Sequence, residues 1–262
     1  SESPSLPSTP KPTLPTESAT DPTFPSTTSE PTEEDRSTDV IRSCLGGDCW
    51  TQVGNDLLAP DPNDIDDGFG DLVQLANGTS RFVVCALQSN ISGKRSGAVR
   101  VYDVHGDHFS QAGQTMYGST EDEMRGVLSG DGRRLALAKP WLDYQGKSNR
   151  GEVIVYELKD AQLRGRSLQG GQQWTSIGNI LRGEKRDRFG HHIQLSYNGS
   201  IVAVGSTAAD NKRGNIRVYE YNDNDNEWKQ LGSSLKGENI DDQVGFLESF
   251  AMSHDGHTLA MG

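Results

Sequence analysis

Two adjacent histidines, His191 and His192, first suggest chemistry in this chain, since imidazole can bind a metal ion or transfer a proton. They lie in FGHHIQLSYNGSIVAVGS, where Asn-Gly separates two runs typical of the strands of a β-hairpin. Side chains alternate across a strand, so we expect the two imidazoles to face opposite ways unless a bulge intervenes. Because a metal site needs several converging ligands, we predict that both histidines pack between sheets.

Other patterns that carry known chemistry are missing from the sequence or incomplete. DPNDIDDG and NDNDNEW offer oxygen ligands to a hard cation, but neither has calcium-loop spacing, and Asn and Asp are ordinary turn formers. The chain contains no G-x-S-x-G, H-E-x-x-H, phosphate loop or G-x-G-x-x-G. We therefore predict no catalytic, cofactor-binding or metal-binding residues, and no cofactor.

The amino-terminal segment differs in composition from the rest of the chain. Eight of the 11 prolines precede residue 40, where Ser and Thr are frequent and large apolar residues are few. Such a segment buries too little apolar surface to offset its conformational entropy. We predict that residues 1–43 form a disordered, acidic Pro/Ser/Thr-rich stalk of the O-glycosylated kind, with a solvated linker as the alternative.

The charge of the chain restricts its partners. The net charge is −12, and the eight acidic and two basic residues of the amino-terminal segment contribute −6 of it. The acidic balance of the remainder opposes binding to a nucleic acid backbone. No apolar run reaches the length of about 18 residues that spans a bilayer, so we predict no membrane insertion within this segment, with an upstream anchor left open. Because the chain begins at Ser1 without a leader, we expect a processed product or a fragment.

Three cysteines are too few for a scaffold built on disulfides. Cys44 and Cys49 flank a Gly-Gly turn in CLGGDCW, and we predict a disulfide between them, with two reduced thiols as the alternative. Cys85 lies in the apolar run RFVVCAL, where we expect a buried thiol.

Three N-glycosylation sequons fall in predicted turns or loops, at Asn77, Asn90 and Asn198. A glycan needs an exposed acceptor, and turns provide one. With the composition of the stalk, the sequons favour a secreted or cell-surface glycoprotein.

An internal repeat dominates the remainder of the chain. The repeat occurs four times, and each copy begins with an aromatic residue followed four positions later by Gly; the copies start near Trp50, Phe109, Trp174 and Trp228. A segment ending in Asn-Gly or Asp-Gly follows in each copy of the repeat. An apolar run comes next and, in three copies, a closing run of the type GxVxVYE. Four short strands in a repeat of about 50 residues are typical of a propeller blade. We predict an all-β fold at residues 44–262, a β-propeller of four-stranded blades with about three and a half blades in an incomplete ring.

The motifs W-x-x-x-G-x-x-L-x-G, FG followed by LSxNG, and GxIRVYE resemble the FG-GAP-like propeller repeats of integrin α-chain heads. They resemble still more closely the tandem repeats of secreted and surface proteins of diatom-type microalgae. The resemblance covers residues 50–262 and implies a propeller used outside the cell for adhesion or protein binding. The D-x-D-x-D-G calcium loops of that family have no match in this sequence, so its calcium sites do not carry over.

Together these observations predict a non-catalytic extracellular or cell-surface scaffold that binds a protein or carbohydrate ligand in adhesion, and hence not an enzyme. The alternative is a propeller-fold hydrolase or another enzyme, which histidines or carboxylates at one end of the central channel would indicate. The predicted partner contacts are Trp141, Tyr144 and Arg150 in KPWLDYQGKSNRG, because aromatic and Arg side chains favour interfaces. Packing of Trp141 beneath its own loop is the competing interpretation.

Overall fold

The computed structural model describes residues 52–59, 64, 67–163 and 166–262. The predicted stalk and the predicted Cys44–Cys49 disulfide lie outside these ranges, and both stay predictions. Within the described ranges the chain is almost entirely β-strand, with one short helical turn, α1 (Ala209–Lys212). None of the helical structure described is long and apolar enough to cross a membrane.

The strands fall into four antiparallel sheets that follow one another along the chain. The first sheet contains β1 (Phe69–Leu75), β2 (Arg81–Ala86), β3 (Ala98–His105), β4 (His108–Gln111) and β5 (Met116–Tyr117). The second contains β6 (Arg125–Leu128), β7 (Arg134–Lys139), β8 (Glu152–Leu163) and β9 (Arg166–Arg182). The third contains β10 (Phe189–Leu195), β11 (Ile201–Ser206), β12 (Asn215–Asn222) and β13 (Glu227–Lys236), and the fourth pairs β14 (Phe250–Met252) with β15 (Leu259–Met261).

Each of the first three sheets is a meander of four neighbouring strands, with β5 as an additional short strand beside β3. The predicted all-β fold of four-stranded units, three complete and one half, is therefore confirmed, and no closed ring is seen among the described strands. Each sheet begins one strand later than the corresponding copy of the sequence repeat. The aromatic-led strand is the last of its sheet, because a short hairpin pairs it with the VYE strand before it.

The Asn-Gly and Asp-Gly motifs form the hairpins between the first two strands of each sheet. In the second sheet Ser129 Oγ donates a hydrogen bond to the Asp131 carboxylate (2.6 Å). In the third sheet Ser196 Oγ donates to the side-chain oxygen of Asn198 (3.1 Å) in the same way. A short polar side chain that bonds within its own turn explains why these positions hold Ser, Asp and Asn.

Backbone hydrogen bonds connect the tips of these hairpins from one sheet to the next. The N–H of Gly78 donates to the carbonyl of Gly130, that of Asp131 to Tyr197, and that of Tyr197 to His254, each at 2.8 Å. The first two bonds join equivalent positions of their hairpins, and in the third the donor lies one residue earlier in its turn. The hairpins of successive sheets therefore lie next to one another along the stack.

The W-x-x-x-G motif has a packing explanation at the outer strands. Trp174 lies against Gly113 of the preceding sheet, and Trp228 lies against Gly178. The Trp174 indole N–H also donates to the carbonyl of Ala112 (2.8 Å). A Cβ on either glycine would overlap the ring, so the motif records a contact between neighbouring sheets.

The core lies between the sheets, where the second strand of each is almost fully buried; Val83, Leu135 and Val202 are 0% exposed. The first strands β1, β6, β10 and β14 contact one another in chain order. These first strands therefore form the inner edge of the stack, and the aromatic-led strands form its outer edge.

Candidate active site

The stack of sheets has two different ends. The tight Asn-Gly and Asp-Gly hairpins lie at one end. The other, which we call the loop end, carries longer connections of two kinds. Loops 87–97, 140–151 and 207–214 join the second and third strands within a sheet, and junction loops 118–124, 183–188 and 237–249 join one sheet to the next.

Arg125 begins the inner strand β6 at the loop end and is only 5% exposed. Its Nη1 donates a hydrogen bond to the backbone carbonyl of His191 on the neighbouring inner strand (2.8 Å). Its Nε has no hydrogen-bond partner among the described residues. Burial lowers the pKa of the Arg125 guanidinium, but such a group starts so high that it stays positively charged at neutral pH.

His191 and His192 lie on β10, beside a bulge in its pairing with β11. Phe189 pairs with Ser206 and Ile193 with Val204, so four steps on β10 oppose two on its partner. The His191 ring stacks on Phe246 at 4.9 Å between ring centres, and the His192 ring lies 4.2 Å from that of Phe250.

Both imidazoles therefore contact the unit that follows the third sheet. Because a bulge intervenes beside them, the strand alternation that would make the two rings face opposite ways does not hold here. The expectation that they pack between sheets is confirmed by the same two ring contacts.

The surroundings of the two histidines favour the neutral form of each imidazole. Burial, together with the positive charges of Arg125 and Arg188, lowers the pKa of His191 to about 4. Burial also lowers the pKa of His192, against the opposing effect of Glu248. Within the described ranges, the Nδ1 atoms of both rings are buried without a hydrogen-bond partner. Buried polar atoms are nearly always paired with protein or water, so each of these nitrogens is free to bond a further group.

Trp141 connects this inner region to the surface of the loop end. Its ring meets the His191 ring edge-on at 6.4 Å, and the Arg188 guanidinium lies 4.3 Å above it. The indole is half-buried, and its N–H has no partner among the residues described. These contacts are made with a neighbouring strand and a junction loop, so partner binding by Trp141 and its packing beneath its own loop both stay predictions.

Two clefts of similar size open at the loop end. The first has a volume of about 800 Å³ and lies around the second junction loop; we call it the basic cleft, lined by Asn149, residues 185–188, Ala208, residues 210–212, Ile240 and Asp241. The second, of about 820 Å³, lies around the first junction loop; we call it the acidic cleft, lined by Arg95, residues 119–123, Trp141, Leu142, Asp143 and Asn149. His191 lines neither cleft, whereas Trp141 lines the acidic cleft and Arg188 lines the basic cleft.

The other predicted contact residues lie near the outer surface of loop 140–151. Tyr144 is 36% exposed, and the guanidinium groups of Arg182 and Arg150 lie 4.4 and 5.8 Å from the centre of its ring. Arg150 also donates through Nε to the carbonyl of Gly183. These contacts restrain Tyr144 and Arg150, and their role in partner binding stays a prediction.

The acceptors of the three sequons are exposed, and their glycosylation stays a prediction. Asn77 and Asn198 lie at hairpin tips, whereas the Asn90 side-chain amide donates to Asp64 (2.8 Å).

Cys85 is fully buried, as predicted, and burial raises the pKa of its thiol to about 12. Of the two acidic clusters, Asp61–Gly68 is described only in part, and Asn222 in the other accepts the Asn224 N–H (3.0 Å) as a turn former does. No three His, Cys, Asp or Glu residues are placed to hold a metal ion in the part of the chain that the structure describes.

Comparison with known proteins gives structural neighbours only. No protein-family model matches the chain, so the resemblance to FG-GAP-like repeats has no support from family models. No curated protein matches its sequence. Among solved structures, a "putative 6-phosphogluconolactonase" from Bacteroides fragilis matches at 13% identity with a TM-score of 0.38, covering 60% of this chain and 36% of the other. A second protein so described, from Bacteroides uniformis, matches at 12% identity with a TM-score of 0.39, covering 63% and 40%. A eukaryotic initiation factor matches at 12% identity with a TM-score of 0.28, covering 65% and 44%.

These neighbours correct two predictions. A non-catalytic adhesion scaffold and a protein that is not an enzyme were expected from the sequence, but two of the neighbours are described as enzymes. Both predictions are wrong by this comparison, and the enzyme alternative is kept. The chain spans about two fifths of the length of either bacterial protein, and at this level of similarity no reaction or substrate is carried over.

Proposed function

We propose that the protein is a propeller-type hydrolase whose reacting centre is formed by Arg125, His191 and His192. One observation carries the proposal: two neighbouring inner strands hold these side chains at the loop end, with Arg125 and His191 buried and His192 half-buried. Each of the three side chains leaves one buried nitrogen without a partner among the described residues. Histidines at one end of the central channel are the feature expected of an enzyme rather than of a binding scaffold. Perturbed, buried ionisable groups that converge are typical of catalytic sites.

The residue types suit hydrolysis of a carboxylic ester. A neutral imidazole can accept a proton through Nδ1 while the oxygen of a water molecule bonds to the carbonyl carbon of the substrate. The Arg125 Nε–H can donate to the carbonyl oxygen as negative charge develops there. The bond from carbon to the leaving oxygen then breaks, and the leaving alcohol takes the proton from the imidazolium.

The test is a panel of chromogenic carboxylic esters with neutral and anionic acyl groups, assayed with wild type, His191→Gln and His192→Gln. A general base contributes about 10²- to 10⁴-fold, so loss of the one that acts is expected to lower kcat by at least about 100-fold. Tyr144→Phe, on the same face but outside the centre, is the matched control and should keep full activity. Hydrolysis unaffected by both histidine variants, or no turnover across the panel, would contradict the proposal.

We also propose that the chain is an FG-GAP-like repeat protein that works outside the cell. Motif spacing supports the first part, and three exposed sequon acceptors support the second. Enzymatic deglycosylation of protein from its natural source should increase its electrophoretic mobility. Unchanged mobility, together with recovery of the protein from the cytosolic fraction, would count against an extracellular site.

A further inference from the structure

Three junction loops connect consecutive sheets, and they share one backbone structure. In each, an Asp carboxylate accepts a hydrogen bond from the N–H three positions earlier, in the pairs Asp122–Ser119 (2.6 Å), Asp187–Glu184 (2.8 Å) and Asp242–Asn239 (2.6 Å). The residues on both sides of that Asp have left-handed φ angles, at Glu121 (65°), Glu123 (46°), Arg186 (66°), Arg188 (54°), Asp241 (69°) and Gln243 (51°). Residues other than Gly seldom adopt this conformation, so its recurrence makes the three loops equivalent positions of the repeat.

In the first junction loop the charges are compensated. The N–H groups of Glu121 and Glu123 donate to the carbonyls of Lys94 (2.7 Å) and Arg95 (3.0 Å). The side chains of the same residues form ion pairs, Glu121 with Lys94 (3.8 Å) and Glu123 with Arg95. The loop thus carries two acidic residues beside two basic ones.

In the second junction loop the same backbone contacts occur without compensation. The N–H groups of Arg186 and Arg188 donate to the carbonyls of Ser148 (2.8 Å) and Asn149 (2.9 Å). Ser148 and Asn149 therefore occupy the positions of Lys94 and Arg95, and neither is charged. Two arginines lie at the positions that two glutamates have in the first junction loop. No carboxylates lie at the positions of the basic residues that pair with those glutamates.

The third junction loop is compensated at its equivalent position. Asp241 has the place of Arg186 and forms an ion pair with Lys212 (3.3 Å). Of the three loops, the second alone carries unbalanced charge at this place, as far as the described residues show.

The carboxylates that line the basic cleft do not restore the balance. Each has a cation of its own, in the pairs Asp187–Arg217 (2.9 Å), Asp210–Lys236 (2.7 Å) and Asp241–Lys212 (3.3 Å). No carboxylate of the described residues lies within 4.0 Å of the charged nitrogens of Lys185, Arg186 or Arg188. Lys185 and Arg186 are exposed, and Arg188 is half-buried against Trp141.

We propose that the basic cleft binds a small multivalent oxyanion, which supplies the negative charge that the repeat provides elsewhere. Guanidinium and ammonium groups recognise phosphate and carboxylate oxygens through charge-assisted hydrogen bonds. The cleft, at about 800 Å³, has room for an organic anion larger than phosphate. This proposal does not depend on hydrolase activity, since neither His191 nor Arg125 lines the cleft.

The test measures binding of pyrophosphate, citrate and inorganic phosphate to the wild-type protein by calorimetry at low ionic strength. In the variant Ser148→Glu/Asn149→Glu, carboxylates stand beside Arg186 and Arg188 as Lys94 and Arg95 stand beside Glu121 and Glu123. Asn149 has φ +47° and the equivalent Arg95 has φ +49°, so a long side chain is tolerated there. We expect Kd for pyrophosphate to rise at least 10-fold in this variant.

The matched control is Ser119→Glu/Thr120→Glu, which adds the same charge to the first junction loop at two exposed positions. It should leave Kd within twofold of wild type, whereas Arg186→Gln, which removes one exposed cation, should raise Kd about fivefold. Absence of binding by the wild type would overturn the proposal. An equal loss in the control would also overturn it, because binding would then follow net charge alone. If the Ser148→Glu/Asn149→Glu variant fails to fold, Arg186→Gln decides: an unchanged Kd counts against the cleft.

Discussion

The first and second junction loops have the same backbone and nearly opposite charge. Both are held by an Asp that accepts a backbone N–H, at 2.6 Å for Asp122 and 2.8 Å for Asp187. Both place two residues in left-handed conformations beside the preceding loop. In the first loop these residues are glutamates, each paired with a cation, and in the second they are arginines without one. The repeat therefore fixes the shape of the loop end, and a few variable side chains decide what each cleft can bind.

The largest expected effect tests whether the two loops depend on the same backbone. Gly97 and Gly151 precede the third strands of their sheets, both with φ +77°, and a Cβ on them would overlap the backbone of Met124 and Phe189 respectively. We expect Gly97→Ala and Gly151→Ala each to lower the free energy of unfolding by about 3 kcal/mol, through backbone strain and overlap. Urea denaturation measures this.

Gly146→Ala is the control for that comparison. It has a similar φ of +72°, but a Cβ there would meet no atom within 4 Å. We expect it to cost about 1 kcal/mol, from the left-handed conformation alone. Equal losses in all three variants would show that the contact with the following strand contributes little.

The pH dependence of stability distinguishes the strand after the second junction loop from the strand after the first. Among the described residues, a buried histidine follows the second loop and none follows the first. The pKa of His191 is about 4 in the folded protein, below the ordinary histidine value of 6.5. The unfolded chain therefore binds more protons below pH 6.5, and stability falls as the pH drops from 6.5 towards 4. We expect His191 to contribute a loss of about 2 kcal/mol over this interval.

His191→Gln checks the origin of that loss, since Gln does not titrate. The variant should lose less stability between pH 6.5 and pH 4 than the wild type does, as followed by chemical denaturation at each pH. An identical pH dependence in the two proteins would assign the effect to other groups.

The smallest expected effect concerns the shared Asp at the exposed third junction loop. Asp242→Ala removes the acceptor of the Asn239 N–H (2.6 Å) and is expected to cost about 1 kcal/mol. Asp242→Asn keeps an acceptor oxygen and should recover most of the loss in thermal denaturation. If Asn recovered nothing, charge rather than the hydrogen bond would account for the role of the Asp.

Much of the fold could be predicted from the sequence because the relevant signals are local. An Asn-Gly or Asp-Gly between two strand-like runs gives a hairpin regardless of what packs on it. The recurring Trp and Gly, such as Trp174 and Gly178, repeat often enough to reveal the unit. The sequence did not predict that the aromatic-led strand ends its sheet, since that depends on which strand it pairs with.

The candidate centre was harder to predict. The sequence identified His191 and His192 as packing residues but did not show the bulge beside them, because that bulge arises from the pairing of β10 with β11. It did not identify Arg125 at all. A lone Arg in DEMRGVL resembles a surface charge, and only the structure shows that it is buried and bonded to the His191 carbonyl. Recurrence was the available signal, since Arg125 falls near the start of an inner strand, as the histidines do.

The sequence by itself determined the all-β repeat and the hairpins, because each depends on residues at fixed spacing. Only the tertiary structure decided which charges are compensated. Lys94 and Glu121 are far apart in the chain, and the absence of a carboxylate beside Arg186 becomes visible only when Ser148 is seen in the place of Lys94. Burial and pairing arise from contacts between distant segments, so the site depends on how the sheets stack.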